Sequence, residues 1–169
     1  YRRVHLRGAF LHDRQTLVQA STALGAGFWV MTPLRLADGS HVLVNRGFVP
    51  DRRADLQRPA GEVVVDGLLR PTEPGGGFLR ANDPAADRWH GRDVAAIAAA
   101  RGLPAMAVAP YFVDADAALP AGQWPAGGLT VLRFPDNHLP YAITWFVLSA
   151  MAVGAGVRLA RHRGLPTDA

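Results

Sequence analysis

No cysteine occurs among the 169 residues, and no lysine either, so all eighteen basic side chains are arginine. The first absence excludes disulfides, thiolate zinc sites, a thiol nucleophile and covalent haem attachment through Cys-x-x-Cys-His. Any haem would have to be held non-covalently. The second absence, beside abundant alanine, glycine and proline, reads as compositional drift rather than selection for a charged surface. The arginines are scattered among fourteen acidic residues with no basic stripe interleaved with aromatics, so nucleic acid is not an expected partner. Serines are few, none lies in Gly-x-Ser-x-Gly, and no His-Glu-x-x-His or histidine pair at helical spacing occurs. His12-Asp13 and His90-x-x-Asp93 are the remaining acid–base pairs, and a histidine beside an aspartate in a loop is usually a surface hydrogen bond. Gly75-Gly76-Gly77, with no helix and no Lys-Ser/Thr after it, reads as a loop rather than a phosphate cradle. The expectation is a protein that is not an enzyme.

What the sequence does contain is one long uncharged run. Leu139 to Val157 carries no charged residue over nineteen positions. At about 1.5 Å per residue this spans about 28 Å, close to the roughly 30 Å hydrocarbon thickness of a bilayer. Pro140 suits a first helical turn, where its missing N–H costs nothing, and Tyr141 and Trp145 suit the interface at that end. Arg158, Arg161 and Arg163 close the run and set its tail on the cytoplasmic side by the positive-inside bias. Ala150 with Gly154 and Ala152 with Gly156 form small-xxx-small pairs of the kind that let helices approach closely. The expected organisation is an extramembrane, periplasmic-side β-rich domain over 1–137, a transmembrane helix over 138–160 and a cytoplasmic tail over 161–169. The membrane is expected to be the inner (cell) membrane of a bacterium. A domain that must be translocated needs a signal or an earlier membrane helix, and one is expected upstream of Tyr1.

The extramembrane part reads as strands. Residues 30–36 and 41–49 flank Ala37-Asp38-Gly39-Ser40, and Asp-Gly between apolar runs is the strongest short hairpin signal. Further strands are expected over 4–10, 16–20, 62–70, 108–114 and 129–134, separated by Gly, Pro and Asp clusters. One helix interrupts them at about 93–101, with Asp93 as N-cap and Gly102 and Pro104 marking its end. The fold class is therefore mainly β: a small antiparallel β-barrel or sandwich with one short helix, followed by a C-terminal transmembrane helix.

His138 sits at the seam between the polar segment and the apolar run. With a helix beginning near Pro140, His138, Tyr141 or Ala142, and Trp145 recur at spacings that keep them close to one face. That places an imidazole and two aromatic rings together at the membrane surface, where a flat amphipathic ligand would fit. A neutral imidazole can give its lone pair to iron while the rings supply stacking surface and exclude water. The plainer alternative is a polar residue that merely caps the helix entrance.

The chain resembles the Surfeit locus protein 1 family along nearly its whole length. The likeness is carried by Tyr1-Arg2-Arg3-Val4 with Gly8-x-Phe10-x-His12, by Val30-x-Thr32-Pro33-Leu34, and by the run from Val42 through Asn45-Arg46-Gly47 to Pro50. It continues in Trp89-His90-x-Arg92-Asp93, Pro110-Tyr111-Phe112-Val113-Asp114-Ala115 and Asn137-His138-Leu139-x-Tyr141-Ala142-x-Thr144-Trp145-Phe146. The resemblance implies an assembly factor for cytochrome c oxidase that binds haem a non-covalently and transiently and assists its insertion into the oxidase catalytic subunit. It implies His138 as ligand to the haem iron, with Asn137, Tyr141 and Trp145 around it. The partners it implies are the oxidase catalytic subunit and membrane lipid, with haem a synthase as a further candidate. The alternative is a membrane-tethered scaffold that stabilises an oxidase intermediate without binding haem. Two departures stand out: the family's first membrane helix has no counterpart in this sequence, and Pro140 stands where relatives commonly have glutamine.

Overall fold

The computed structural model describes residues 2–75, 80–116, 119–120, 122–129 and 138–163. The chain divides into two units, Tyr1–Thr130 and Val131–Ala169. The first is built from β1 (Arg2–Phe10), β2 (Thr16–Thr22), β3 (Gly25–Leu36), β4 (His41–Val49), β5 (Glu62–Pro71), α1 (Val94–Ala100) and β6 (Val108–Ala115). The second is described through a single helix, α2 (His138–Arg163).

The expected hairpin forms β3 and β4. Gly39 takes φ +83°, the left-handed region that a residue with a Cβ rarely enters. Asp38 Oδ1 accepts from the Ser40 N–H at 2.9 Å and from its hydroxyl at 2.6 Å. This turn sets Arg35 opposite His41 and fixes an antiparallel register up to Met31 opposite Asn45. There the register slips: Trp29 faces Phe48, so Arg46 and Gly47 together oppose Val30 in a β-bulge.

Closure decides between barrel and sandwich. The sheet runs β1-β5-β6-β4-β3-β2, and β1 also pairs with β3 through Gly8–Leu36 and Phe10–Leu34. Five strands thus form a ring, which is a barrel. The twelve-residue β3 serves both β2, along Gly25–Met31, and β1, along Leu34–Leu36, so β2 extends the sheet outside the ring. One pair departs from the antiparallel expectation: β4 and β6 run parallel, because a closed ring of five strands cannot alternate direction at every pair and the other four pairs are antiparallel. The expected strand 129–134 falls outside the described residues, apart from Leu129, which lies in no strand.

Every residue of β4 is buried, because both of its faces are covered. Leu34, Val44 and Val65 form a cluster with Leu6, Phe10, Leu36, Val63 and Ala115. These side chains come from all five ring strands, which makes this cluster the barrel interior. Leu43 points the other way, into a second cluster with Val18, Met31, Trp89, Val94, Ile97 and Phe112. Here α1 and β2 cover the outside of the barrel wall. At roughly 1.5–3 kcal/mol for each fully buried large apolar side chain, these two layers are the main source of cohesion. The helix α1 is set by its cap: Asp93 Oδ1 accepts from the Ala96 N–H at 3.1 Å, and Gly102 follows at φ +65°.

Candidate functional site

The helix α2 opens at His138, with Pro140 third, among the first four positions whose N–H groups have no acceptor within the helix. Positions 138, 141 and 145 lie at i, i+3 and i+7, one stripe of the helix. On that stripe Tyr141 is 69% exposed and Trp145 60% exposed, so both rings are open to a ligand or to lipid. Leu139, Ile143, Phe146, Val147, Leu148, Met151 and Val153 are exposed as well. Tyr141–His162 is long and apolar enough to cross a membrane. The Ser149 hydroxyl donates back to the Trp145 carbonyl at 2.8 Å, which satisfies a polar group without water. Around Gly154 and Gly156 there is open space, as a helix-packing surface would leave. Asn137 lies outside the described residues. The helix continues to Arg163, taking Arg161 and His162 into its last turn.

Three of the five segments that carry the resemblance in the first unit meet in one buried polar network. Asp114 on β6 is almost fully buried. It accepts from Asn45 Nδ2 at 2.9 Å, from Arg70 Nη1 at 2.9 Å and from Arg92 Nη1 at 3.1 Å. Glu73 holds the same two arginines from the other side, through Arg92 Nε at 2.8 Å and Nη2 at 2.7 Å and Arg70 Nη2 at 3.2 Å. The Arg92 guanidinium also lies 4.6 Å from the Phe112 ring centroid. Two cations and two carboxylates, each hydrogen-bonded, make a lock between β4, β5, β6 and the segment leading into α1 rather than a reactive centre.

Asn45 has a second duty: its Oδ1 accepts from the Gly47 N–H at 3.2 Å, bracing the bulge. Gly47 stands at φ +132°, and a Cβ there would fall 2.3 Å from the Ala126 carbonyl oxygen. The bare backbone lets Ala126 exchange two 2.8 Å hydrogen bonds with Phe48. Trp89 is fully buried, and its indole N–H donates to Asp87 Oδ1 at 2.8 Å.

Neither acid–base pair assembles. His12 Nε2 lies 2.9 Å from the Pro59 carbonyl, whereas Asp13 reaches only Arg14, at 3.9 Å. The His90 backbone N–H donates to Asn82, and Asp93 is engaged as the α1 cap. Among the described residues no group of three His, Asp or Glu side chains could hold a metal ion. The arginine–carboxylate lock was not recognised from sequence. Its visible trace was that Asn45, Arg92 and Asp114 all fall in the segments carrying the resemblance.

Comparison with known proteins agrees along the chain. The SURF1 family model matches residues 1–150. A SURF1-like protein of Monosiga brevicollis is 36% identical over 97% of the chain, which spans 68% of that relative. Surfeit locus protein 1 of Homo sapiens is 34% identical and that of Xenopus tropicalis 33%, each over 89% of the chain. The chain spans only a little over half the length of these two, 56% and 54%.

Proposed function

That the chain belongs to the SURF1 family is the premise from which we propose its function: it serves the assembly of cytochrome c oxidase, the work of that family. In this reading it is a non-catalytic membrane-tethered factor that holds haem a at the entrance of α2 and hands it to the oxidase catalytic subunit. The observation that carries the reading is the stripe at the start of α2, where Tyr141 and Trp145 present open ring faces one and two turns after His138. An imidazole at that position would ligate the iron, and the two rings would cover the apolar macrocycle. Asn137 would add a polar contact, and the haem propionates would stay near water. A site at a membrane surface suits a cargo that must be held and then released. Haem a synthase would be the donor, lipid the surrounding medium. Arg158, Arg161 and Arg163 orient the helix with its C-terminus in the cytoplasm, which in a bacterial inner membrane leaves the barrel in the periplasm. The relatives compared above are eukaryotic, so the orientation rests on the arginines alone.

The test is a titration of the full chain in detergent with haem a, read by absorption. The wild type is expected to bind, and His138→Ala to weaken binding by more than about tenfold, about 1.4 kcal/mol, and to alter the iron spectrum. His90→Ala is expected to do neither. An unchanged spectrum in His138→Ala overturns histidine ligation. If the wild type binds no haem, the protein is instead a scaffold for an oxidase intermediate.

A further inference from the structure

The barrel buries its arginines in two different ways. Arg70 and Arg92 each meet carboxylates, as described above. Arg46, at the bulge of β4, meets none. It shares the face of Val44, toward the barrel interior, and is only 8% exposed. One Nη donates to the Gln57 carbonyl, the other lies 3.5 Å from His12 Nδ1, and the guanidinium carbon sits 5.1 Å from the Phe10 ring centroid. None of the three partners is a carboxylate. Burial, with Arg58 nearby adding like charge, pushes the Arg46 pKa down to about 10. The group is therefore still a cation at neutral pH.

This charge faces a cleft of about 680 Å³ at the end of the barrel. Sites for small molecules commonly measure roughly 300–1,000 Å³. The wall is mainly apolar, including Phe10, Val63, Val65, Ala115 and Pro125, with Arg46 and Arg58 set into it. Two carboxylates also line the cleft, but both are engaged elsewhere. Asp66 Oδ1 lies 2.5 Å from His5 Nδ1, and Asp116 Oδ2 accepts from Arg3 Nη1 at 2.9 Å. Among the described residues neither Arg46 nor Arg58 has a carboxylate within ion-pair distance. A buried cation is costly without an anion, and two cations beside one cleft are costlier still. The Asn45–Gly47 brace holds the bulge that sets Arg46 in this position.

We propose that this barrel-end cleft binds an anionic amphipath, with a carboxylate or phosphate head seated between Arg46 and Arg58 and an apolar body against Phe10, Val63 and Val65. The site lies wholly within the first unit and does not rest on the haem reading.

Photolabelling of the full chain in phosphatidylcholine nanodiscs tests it. The probe is a diazirine-bearing dodecanoate, with crosslinks mapped by peptide mass spectrometry. Labelling is expected at Phe10 and residues 63–65, competed by dodecanoate and dodecyl phosphate but not by methyl dodecanoate, which has the tail without the charge. Arg58→Gln, an exposed change that leaves the core intact, is expected to reduce labelling about threefold, and Arg46→Gln about tenfold, with Arg46→Lys between wild type and Arg46→Gln. Should Arg46→Gln fail to fold by its thermal melt, Arg58→Gln and the methyl ester still decide. Equal competition by the ester, or labelling unchanged in Arg58→Gln, overturns the proposal. Adding phosphatidylglycerol to the nanodisc separates two sources of the same chemistry. Suppressed labelling identifies a membrane lipid headgroup as the natural anion, and undiminished labelling identifies a free amphipathic acid.

Discussion

The barrel and the helix treat polarity in opposite ways. In the barrel Thr16, Thr32, Asn45, Arg46 and Asp114 are buried while the strand edges carry exposed arginines. In α2 the large apolar side chains face outward, and Ser149 turns inward on its own backbone. The difference teaches which solvent each surface suits. A barrel in water gathers apolar groups inside and admits a charge there at a cost, offset for Asp114 by two arginines and, among the described residues, by no carboxylate for Arg46. A helix in hydrocarbon needs no apolar interior, only satisfied backbone and polar groups, which a helix provides by itself.

The largest effect expected in the barrel comes from breaking its lock. Asp114→Ala strips two part-buried arginines of a shared carboxylate and takes from the Asn45 amide the acceptor Asp114 provides. It should cost about 3–5 kcal/mol, measured as a loss of midpoint in urea unfolding followed by tryptophan fluorescence. A change below about 1 kcal/mol would show that Glu73 alone balances the site.

The matching change in the helix is Met151→Arg, near the middle of Tyr141–His162. It should oppose membrane insertion by about 2.5–3.5 kcal/mol, read as a shift of the chain from membrane to soluble or degraded fractions. The two units also predict that the barrel's own unfolding is unchanged. If barrel stability falls in parallel, the division into two units fails.

Two glycines sharpen the contrast between strained backbone and packed backbone. Gly47→Val and Gly39→Val both place a β-branched residue at positive φ, which costs about 1–3 kcal/mol. Around Gly39 there is open space, so its loss should stay near about 1 kcal/mol. Gly47 must in addition push away the Ala126 segment, and its loss should be the larger by thermal melting.

The smallest effect is electrostatic. Burial raises the Asp87 carboxyl pKa, but hydrogen bonds from Trp89 and Arg101, with the charges of Arg101 and Arg52, outweigh it and hold the carboxyl below its ordinary range. A lowered carboxylate pKa stabilises the fold above the unfolded value, near pH 4, and that contribution vanishes as pH falls through the folded value. Asp87 is about half exposed, so screening limits the gain. Asp87→Asn, which keeps an acceptor for Trp89, should cost less than about 1 kcal/mol at pH 7, and the cost should shrink as pH falls through the folded value.

The features legible in the sequence are those made by neighbours along the chain. The Asp38-Gly39 turn, the Asp93 cap with Gly102 after α1, and the uncharged run of α2 each depend on a handful of consecutive residues. The first half of β3 was not legible. Gly25-Ala26-Gly27 has little strand propensity, yet it forms strand because β2 pairs along it and because Gly27, lacking a Cβ, lets the Phe48 ring and the Val49 carbonyl come close. At the helix entrance the stripe of positions 138, 141 and 145 was legible from spacing alone. The cleft with Arg46 was not: its walls come from β1, β4, β5, β6 and the segments after β4 and β6.

By itself the sequence determined the β-rich character of the first unit, the hairpin at its centre, the short capped helix and a C-terminal helix able to cross a membrane. Periodicity, turn chemistry and capping act over fewer than about ten residues, so they can be read one stretch at a time. Only the tertiary structure decided that β1 meets β3 and closes a barrel, that β6 runs parallel to β4, that Asp114 gathers Asn45, Arg70 and Arg92, and that Arg46 meets no carboxylate among the described residues. These outcomes join residues far apart in the chain, and charge balance in a buried site is a property of the whole set of groups that meet there.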